Sequence, residues 1–174
     1  MATVSLGGFA DAFAGAGGPD PDYDKIREIA DGLVPFGNHA GIEITEVGPD
    51  RAVAEIPAAD HLRNHLGTVH AGALFLAADI AGASAFVGAL APRLSEVEFL
   101  VLKNSGASFR KPATGRIRAV AAADERETRG ILALPAGQRF DLDVKALCYD
   151  ADDVLVAKFT FSYVGSLGAP RVGE

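Results

Sequence analysis

The chain has 174 residues, of which 49% are hydrophobic, 22% charged and 7% aromatic. This composition is typical of a globular protein, and it excludes a collagen, a coiled coil or a mostly disordered chain. The formal net charge is −7, from 16 Lys and Arg against 23 Asp and Glu. We therefore expect no nucleic-acid partner, because a protein that follows a phosphate backbone needs a positive field.

Both ends of the chain are predicted to lie outside one central domain. Residues 1–21 are rich in Gly, Ala and Pro, lack the basic region of a secretory signal, and are predicted to form a flexible tail. Residues 166–174 are predicted to be a second tail, which leaves a single domain over residues 22–165. Cys148 is the one cysteine of the sequence. A single cysteine excludes an internal disulfide and fits a reducing cytoplasm. We interpret Cys148 as a small buried hydrophobic residue.

The hydrophobic patterns in chain order predict an α+β protein. Apolar residues recur at three- and four-residue steps over residues 22–33, which indicates an amphipathic helix that stops before Pro35. Strands are predicted over residues 42–47 and 52–56, joined by the turn Gly48-Pro49-Asp50. After a long apolar segment, four more strands are predicted, over residues 97–109, 115–122, 139–149 and 154–164.

The apolar segment over residues 71–92 is too long for a strand and is predicted to be a helix. Its Ala and Gly content makes it weakly hydrophobic, and a charged Asp79 near its middle would cost about 2.5–3.5 kcal/mol in a bilayer. We therefore expect no membrane span. A helix that is apolar on all sides must be covered on all sides, so we predict a curved antiparallel sheet of about six strands wrapped around it.

Asp79 and the start of this helix are the candidate chemical groups. An isolated carboxylate in an apolar helix is costly, and it either hydrogen-bonds a serine or a backbone group or has a functional role. The amides after His70, those of Ala71 and Gly72, lie at the helix N-terminus, where unpaired N–H groups favour negative charge. A carbonyl polarised there and attacked with help from Asp79 defines an acyl-transfer or hydrolysis site.

The distance between these two groups predicts an oligomer. Ala71 and Asp79 are eight residues apart, about 12 Å along a helix, so one carbonyl cannot contact both in the same chain. Two antiparallel helices across a two-fold axis would bring Asp79 of one copy to the helix N-terminus of the other. We therefore expect a homodimer, or a dimer of dimers.

The segment NHLGTVHAGALFLAAD, residues 64–79, resembles the acyl-CoA thioesterases of the hotdog fold, particularly the phenylacetate-degradation type and its bacterial relatives. Asn64, Gly67, His70, Gly72 and Asp79 match the pattern of that family position by position, and FRKPATG resembles a turn of the same family. The resemblance implies a hotdog fold and hydrolysis of an acyl-CoA or acyl-carrier thioester, with coenzyme A as part of the substrate and no other cofactor.

The resemblance also implies residue roles. Asp79 would be the nucleophile or general base, the Ala71 and Gly72 amides the oxyanion hole, and Asn64 and His70 the groups that position the thioester or water. Gly67, Ala83 and Ser84 would lie at the substrate. The chain departs from the family at Ala71, which replaces a glycine, and at Ala83, where some relatives carry a hydroxyl.

Two alternative functions remain open at this stage. One is a non-catalytic module that binds acyl-CoA. The other is a hotdog hydratase or dehydratase, although in carrier-protein dehydratases the acid lies where this chain has Ser84.

Other polar residues divide into an anion site and loop residues. Arg110 and Lys111 are the predicted contacts for the phosphates of coenzyme A, with Arg63, Arg93 and Lys103 as competing cations. His61 and His65 would share a helix face, but Gly67 interrupts that stretch and no cysteine lies nearby. We therefore predict no metal site and interpret both histidines, with His39, as solvated loop residues.

Overall fold

The computed structural model describes residues 8–169 of the chain. Five α-helices are formed, namely α1 (Phe9–Ala12), α2 (Tyr23–Leu33), α3 (Pro35–Ala40), α4 (Ala71–Ala89) and α5 (Glu125–Leu132). Six strands are formed, namely β1 (Glu43–Val47), β2 (Ala52–Ile56), β3 (Val97–Phe109), β4 (Ile117–Ala123), β5 (Arg139–Tyr149) and β6 (Leu155–Leu167). Every predicted helix and strand is present, with bounds that shift by a few residues.

All six strands form one antiparallel sheet in the order β1-β2-β4-β5-β6-β3. The predicted hairpin between β1 and β2 is confirmed, because Val47 pairs with Ala52 and the Gly48 amide donates to the Arg51 carbonyl at 2.8 Å. The long strand β3 lies at one edge of the sheet and, within residues 8–169, pairs with β6 alone. In this described range its second edge therefore carries unpaired backbone groups.

The helix α4 is the centre of the fold and contacts every strand of the sheet. Ala77, Ala78, Ala81, Ala85 and Phe86 along it are fully buried. Small side chains let the sheet approach the helix closely, and this close packing explains the high alanine content of the segment. The predicted α+β hotdog architecture is thereby confirmed.

The helix is shorter than predicted and is apolar enough to resemble a membrane span. It ends at Ala89 because residues 91–96, which include Pro92, form a 3₁₀ helix instead. Its length and hydropathy satisfy the criteria for a membrane span, yet 61% of its most apolar window is buried inside the fold. The helix is thus a core helix, as the sequence predicted, but one of its faces is not fully covered.

The predicted tail over residues 1–21 requires correction for residues 8–21. Phe13 and Ala16 are buried in the main core. The Gly18 amide donates to the Ala91 carbonyl at 2.9 Å, and the Asp22 amide donates to the Ala16 carbonyl at 2.9 Å. One aromatic ring and several small residues therefore dock this segment on the domain, which the Gly and Ala composition concealed. Residues 1–7 lie outside the described range.

Three further details differ from the sequence prediction. The helix α3 was missed, although Pro35 begins it and Gly41, at φ +73°, ends it in the left-handed conformation that suits glycine. The helix α5 was also missed, although Asp124 caps it by accepting from the Glu127 amide. The strand β6 extends to the buried Leu167, so the predicted C-terminal tail begins later, and residues 170–174 lie outside the described range.

Candidate active site

Asp79 lies in the middle of α4, partly buried, and accepts a hydrogen bond from Tyr163. The phenolic oxygen is 3.0 Å from Asp79 Oδ1 and 3.2 Å from the Asp79 carbonyl oxygen. Burial raises the pKa of the Asp79 carboxyl above its usual value, and the Tyr163 hydrogen bond lowers it by less. The carboxyl group is therefore held in one orientation and is a stronger base than an exposed aspartate.

Tyr163 is a site residue that the sequence analysis missed. It follows Phe159 and Phe161 on the inward face of β6, where alternate residues point to the core. Burial and the neighbouring Asp79 raise the pKa of the Tyr163 hydroxyl, so it stays protonated and donates. A polar hydroxyl at the end of an inward-facing aromatic series is the sequence signal that identifies it.

Gly82 allows this contact between strand and helix. A Cβ atom at Gly82 would lie 2.7 Å from the Tyr163 hydroxyl oxygen and 3.2 Å from the Phe161 ring. Any side chain at this position would push the tyrosine away from the helix. The glycine therefore sets the distance at which Tyr163 reaches Asp79.

The N-terminus of α4 is capped by His70. The His70 Nδ1 atom accepts from the Gly72 amide at 2.9 Å. An Nδ1 atom that accepts a hydrogen bond carries no proton, so the ring proton is on Nε2. The Gly72 amide is already bonded to this side chain. The Ala71 amide has no acceptor among residues 8–169 and lies at an exposed position. Of the two predicted oxyanion donors, Ala71 is the one left available.

Asn64 and Gly67 form the loop before the helix. The Asn64 Oδ1 atom accepts from the Leu66 and Thr68 amides at 2.9 and 3.2 Å, and its Nδ2 atom donates to Thr68 Oγ1 at 2.9 Å. Gly67 has φ +76°, which explains the glycine in this turn. The Asn64 side chain is thus engaged mainly in shaping the loop, and a direct contact with substrate stays a prediction.

A row of incompletely buried residues runs along α4 and contains the predicted site. We call it the open stripe, and its members are Ala71, Gly72, Phe75, Leu76, Asp79 and Ala83. They recur at three- and four-residue steps, so they share one face of the helix. Because α4 is unbroken from Ala71 to Asp79, these two residues stay about two turns apart, as the sequence predicted.

A cavity of about 550 Å³ lies beside the start of α4. His39, His61 and His70 line it together with Gly72 and Leu76. Within residues 8–169, no group of three or more His, Cys, Asp or Glu side chains is arranged to hold a metal ion. His39, His61 and His65 are all exposed, as predicted, but His61 lies in a short 3₁₀ helix, Asp60–Leu62, and His39 lies in α3 rather than in a loop. The cavity therefore leaves open space next to the candidate oxyanion donor.

The remaining predicted residues lie beyond Asp79 on α4 or on other elements of the fold. Ala83 is on the open stripe one turn beyond Asp79, whereas Ser84 is buried. Cys148 is fully buried, and burial raises the pKa of its thiol to about 12, so it is confirmed as a buried hydrophobic residue.

Arg110 and Lys111 follow β3, both are exposed, and within the described part of the chain neither side chain has an ion-pair partner. The competing cations are engaged: Arg63 pairs with Asp60, Lys103 pairs with Asp141, and Arg93 binds Glu96 and the Leu134 carbonyl.

The comparisons with solved structures agree with this fold. A Pseudomonas aeruginosa protein, PA5026, described as a probable thioesterase, is 23% identical with a TM-score of 0.70, covering 86% of this chain and 98% of its own. A candidate esterase from Mycobacterium tuberculosis, Rv1847/MT1895, is 26% identical with a TM-score of 0.59, covering 79% of this chain and 100% of its own. The Haemophilus influenzae thioesterase HI1161 is 15% identical with a TM-score of 0.63, covering 91% and 99%.

These likenesses and the sheet around α4 define the hotdog fold. A family model described as a domain of unknown function, DUF4442, matches residues 25–164, and the chain belongs to this family. No protein with curated annotation matches the chain.

Proposed function

We propose that this protein hydrolyses acyl-CoA thioesters, with Asp79 as the catalytic carboxylate. The observation that carries the proposal is the partly buried Asp79 carboxyl, which Tyr163 holds on the open stripe of α4. The Ala71 amide at the N-terminus of the same helix has no partner among residues 8–169. A carboxylate with a raised pKa and a fixed orientation is suited to proton abstraction near neutral pH.

The proposed reaction uses the Asp79 carboxylate, the Ala71 amide and a water molecule, and it needs no further cofactor. Water, deprotonated by Asp79, attacks the thioester carbonyl, or the carboxylate attacks first and the resulting anhydride is hydrolysed. In both routes the carbonyl oxygen becomes an oxyanion that the Ala71 amide stabilises at the positive end of α4. The carbon–sulfur bond then breaks, coenzyme A leaves as a thiolate that takes up the proton released by water, and the acyl group is released as the carboxylic acid.

The active site requires a second copy of the chain. Asp79 and Ala71 are too far apart on α4 to act on one carbonyl, so the amide comes from the partner's helix. Two surfaces support the pairing. One edge of β3 has no partner strand in the described part of the chain, and residues 103–109 of this strand are all exposed. The open stripe leaves apolar side chains such as Phe75 and Leu76 only half-buried. Covering both surfaces at once would complete two equivalent sites.

Arg110 and Lys111 favour coenzyme A as the carrier of the acyl group. They are two adjacent exposed cations without a carboxylate partner among the described residues, on a protein of net charge −7. Such a local cluster attracts a phosphate despite the overall charge. An Arg110→Ala/Lys111→Ala double variant should raise KM for acyl-CoA while leaving hydrolysis of a short pantetheine thioester unchanged.

A module that binds acyl-CoA without turnover is the second candidate. The observation that favours it is Ala83, which supplies no hydroxyl one turn after Asp79, while Tyr163 already occupies Asp79 Oδ1. A carrier-protein dehydratase is disfavoured because the position of its acid is the buried Ser84.

The test is thiol release from a set of acyl-CoAs by the wild type and the Asp79→Asn variant. We expect kcat to fall at least about 100-fold, the scale of general acid–base loss. Affinity for a non-hydrolysable acyl-CoA thioether should change little. Asp152→Asn, an exposed turn residue, is the matched control. Binding of the thioether by a wild type with no turnover would establish the binding module instead, and near wild-type turnover by Asp79→Asn would contradict the role of Asp79.

A further inference from the structure

A second cavity, of about 330 Å³, lies between α1, α2, α4 and β3. From α1 and the residue that follows it, Phe9, Ala12 and Phe13 line this cavity, and Ile80, Ala83 and Ser84 line it from α4. Ser84 supplies the single polar side chain among the lining residues of the described range. We call this space the apolar cavity. Its volume is at the lower end of the range for small-molecule pockets.

The apolar cavity begins one helical turn beyond Asp79. Ala83 is four residues after Asp79 on the same face of α4, about 6 Å along the helix axis. When the thioester carbonyl lies at Asp79, one side of the substrate extends toward Ala83, and this side is either the acyl group or coenzyme A. The polar pantetheine and phosphates are unsuited to an apolar space, so the acyl group is the part of the substrate that fits it.

The wall formed by the N-terminal segment is packed against the domain. Phe13 is 3% exposed, and its ring centroid lies 5.4 Å from that of Phe9. The Gly18 amide is fixed to the Ala91 carbonyl at 2.9 Å, which ties the end of the segment to the body of the domain. A wall held in this way fixes the length of the space that an acyl chain can fill.

We propose that the apolar cavity binds the aliphatic acyl chain of the substrate and that Phe9, Ala12 and Phe13 determine the longest chain accepted. This inference rests on the proposed function, since it identifies the acyl class of the same site. The residues predicted from sequence to be a flexible tail then become specificity-determining residues.

The experiment measures binding separately from turnover. The affinities of S-alkyl-CoA thioethers from ethyl to dodecyl are determined by calorimetry for the full-length protein. Each methylene that enters an apolar cavity should tighten binding about fourfold until the cavity is full. Ala12→Phe fills the cavity and should end this increase at a shorter chain, whereas Phe9→Ala enlarges it and should extend the increase to longer chains.

Ala14→Phe is the matched control, because Ala14 is exposed on the same segment and does not line the cavity. Light scattering on every variant tests whether the cavity is instead filled by a second copy of the chain. A change of oligomeric state with Ala12→Phe, or a chain-length profile that Ala12→Phe and Phe9→Ala leave unchanged, would overturn the inference. Since the thioethers are not hydrolysed, a chain-length profile that follows these variants supports the acyl cavity even if turnover is absent and the thioesterase proposal fails.

Discussion

The two halves of α4 have similar sequences and different surroundings. In residues 80–89, every residue except Ala83 is buried against the sheet. In residues 71–79, five residues remain exposed or half-buried, and the last of them is Asp79. One half of an apolar helix can thus pack against the sheet, while the other half keeps one face free to contact substrate and a second chain.

This difference predicts that the two halves respond differently to substitution. Changes at the open-stripe residues of the first half should reduce turnover and leave stability nearly unchanged, because few packing contacts are lost. Changes at second-half residues that contact neither Tyr163 nor the apolar cavity, such as Gly88, should reduce stability and leave turnover per folded molecule unchanged. Two variants on α4 test this separation, and a third variant, on β6, tests the group that holds Asp79.

The largest expected effect is on turnover, in Ala71→Pro. Proline is accepted at the first position of a helix, and His70 has φ −64° and ψ 140°, a conformation compatible with a following proline. The substitution removes the Ala71 N–H and little else. We expect kcat to fall about 100- to 1,000-fold, the effect of losing one oxyanion donor, with the thermal midpoint nearly unchanged. Ala71→Gly keeps the N–H and should retain activity; an active Ala71→Pro would exclude this amide from the mechanism.

The next effect is on stability, in Gly88→Ala. A Cβ atom at Gly88 would lie 2.1 Å from the Gly48 carbonyl oxygen in the turn between β1 and β2, and backbone cannot yield cheaply. We expect the free energy of unfolding in urea to fall by about 2 kcal/mol or more. Gly32→Ala in α2, where nothing lies within 4 Å, is the control and should be neutral or stabilising. A loss of turnover per folded molecule in Gly88→Ala would contradict the separation.

The smallest effect is a shift in pH dependence, in Tyr163→Phe. The Tyr163 hydroxyl stabilises the Asp79 carboxylate, so its removal lets burial raise the pKa of Asp79 further. The acid limb of the kcat/KM profile should therefore move to higher pH, with activity recovered at alkaline pH. Tyr149→Phe on β5 should leave the limb in place. An unchanged acid limb in Tyr163→Phe would show that the hydroxyl does not act on the catalytic carboxylate.

The sequence predicted those helices, strands and turns that depend on a local pattern of residues. The apolar segment of α4, the turn at Gly48-Pro49-Asp50 and the six strands all follow from periodicity and turn chemistry within a few residues. Asp79 could be identified from the sequence because it is an acid within an apolar helix. His70 could be identified because it ends the polar segment that precedes this helix. The separation of Ala71 and Asp79 also needed nothing more than helix geometry.

The parts that were missed depend on tertiary contacts. Tyr163 reaches Asp79 across 84 positions of sequence, and the contact requires the position of β6 as well as the absent side chain of Gly82. The docking of residues 8–21 rests on Phe13 and Ala16 fitting against the core, which composition does not reveal. The use of Asn64 within its own loop likewise follows from hydrogen bonds to Leu66 and Thr68 that spacing alone leaves open.

The central claim is that each active site joins Asp79 of one copy to the Ala71 amide of another, and mixing two inactive variants tests it most directly. Asp79→Asn and Ala71→Pro chains are unfolded together, refolded as a mixture and assayed for thiol release. In a mixed dimer with shared sites, one site carries both defects and the other carries none. Random pairing should therefore restore about one quarter of wild-type activity. If the mixture forms mixed dimers and stays as inactive as its two components, each site lies within one chain and the account is contradicted.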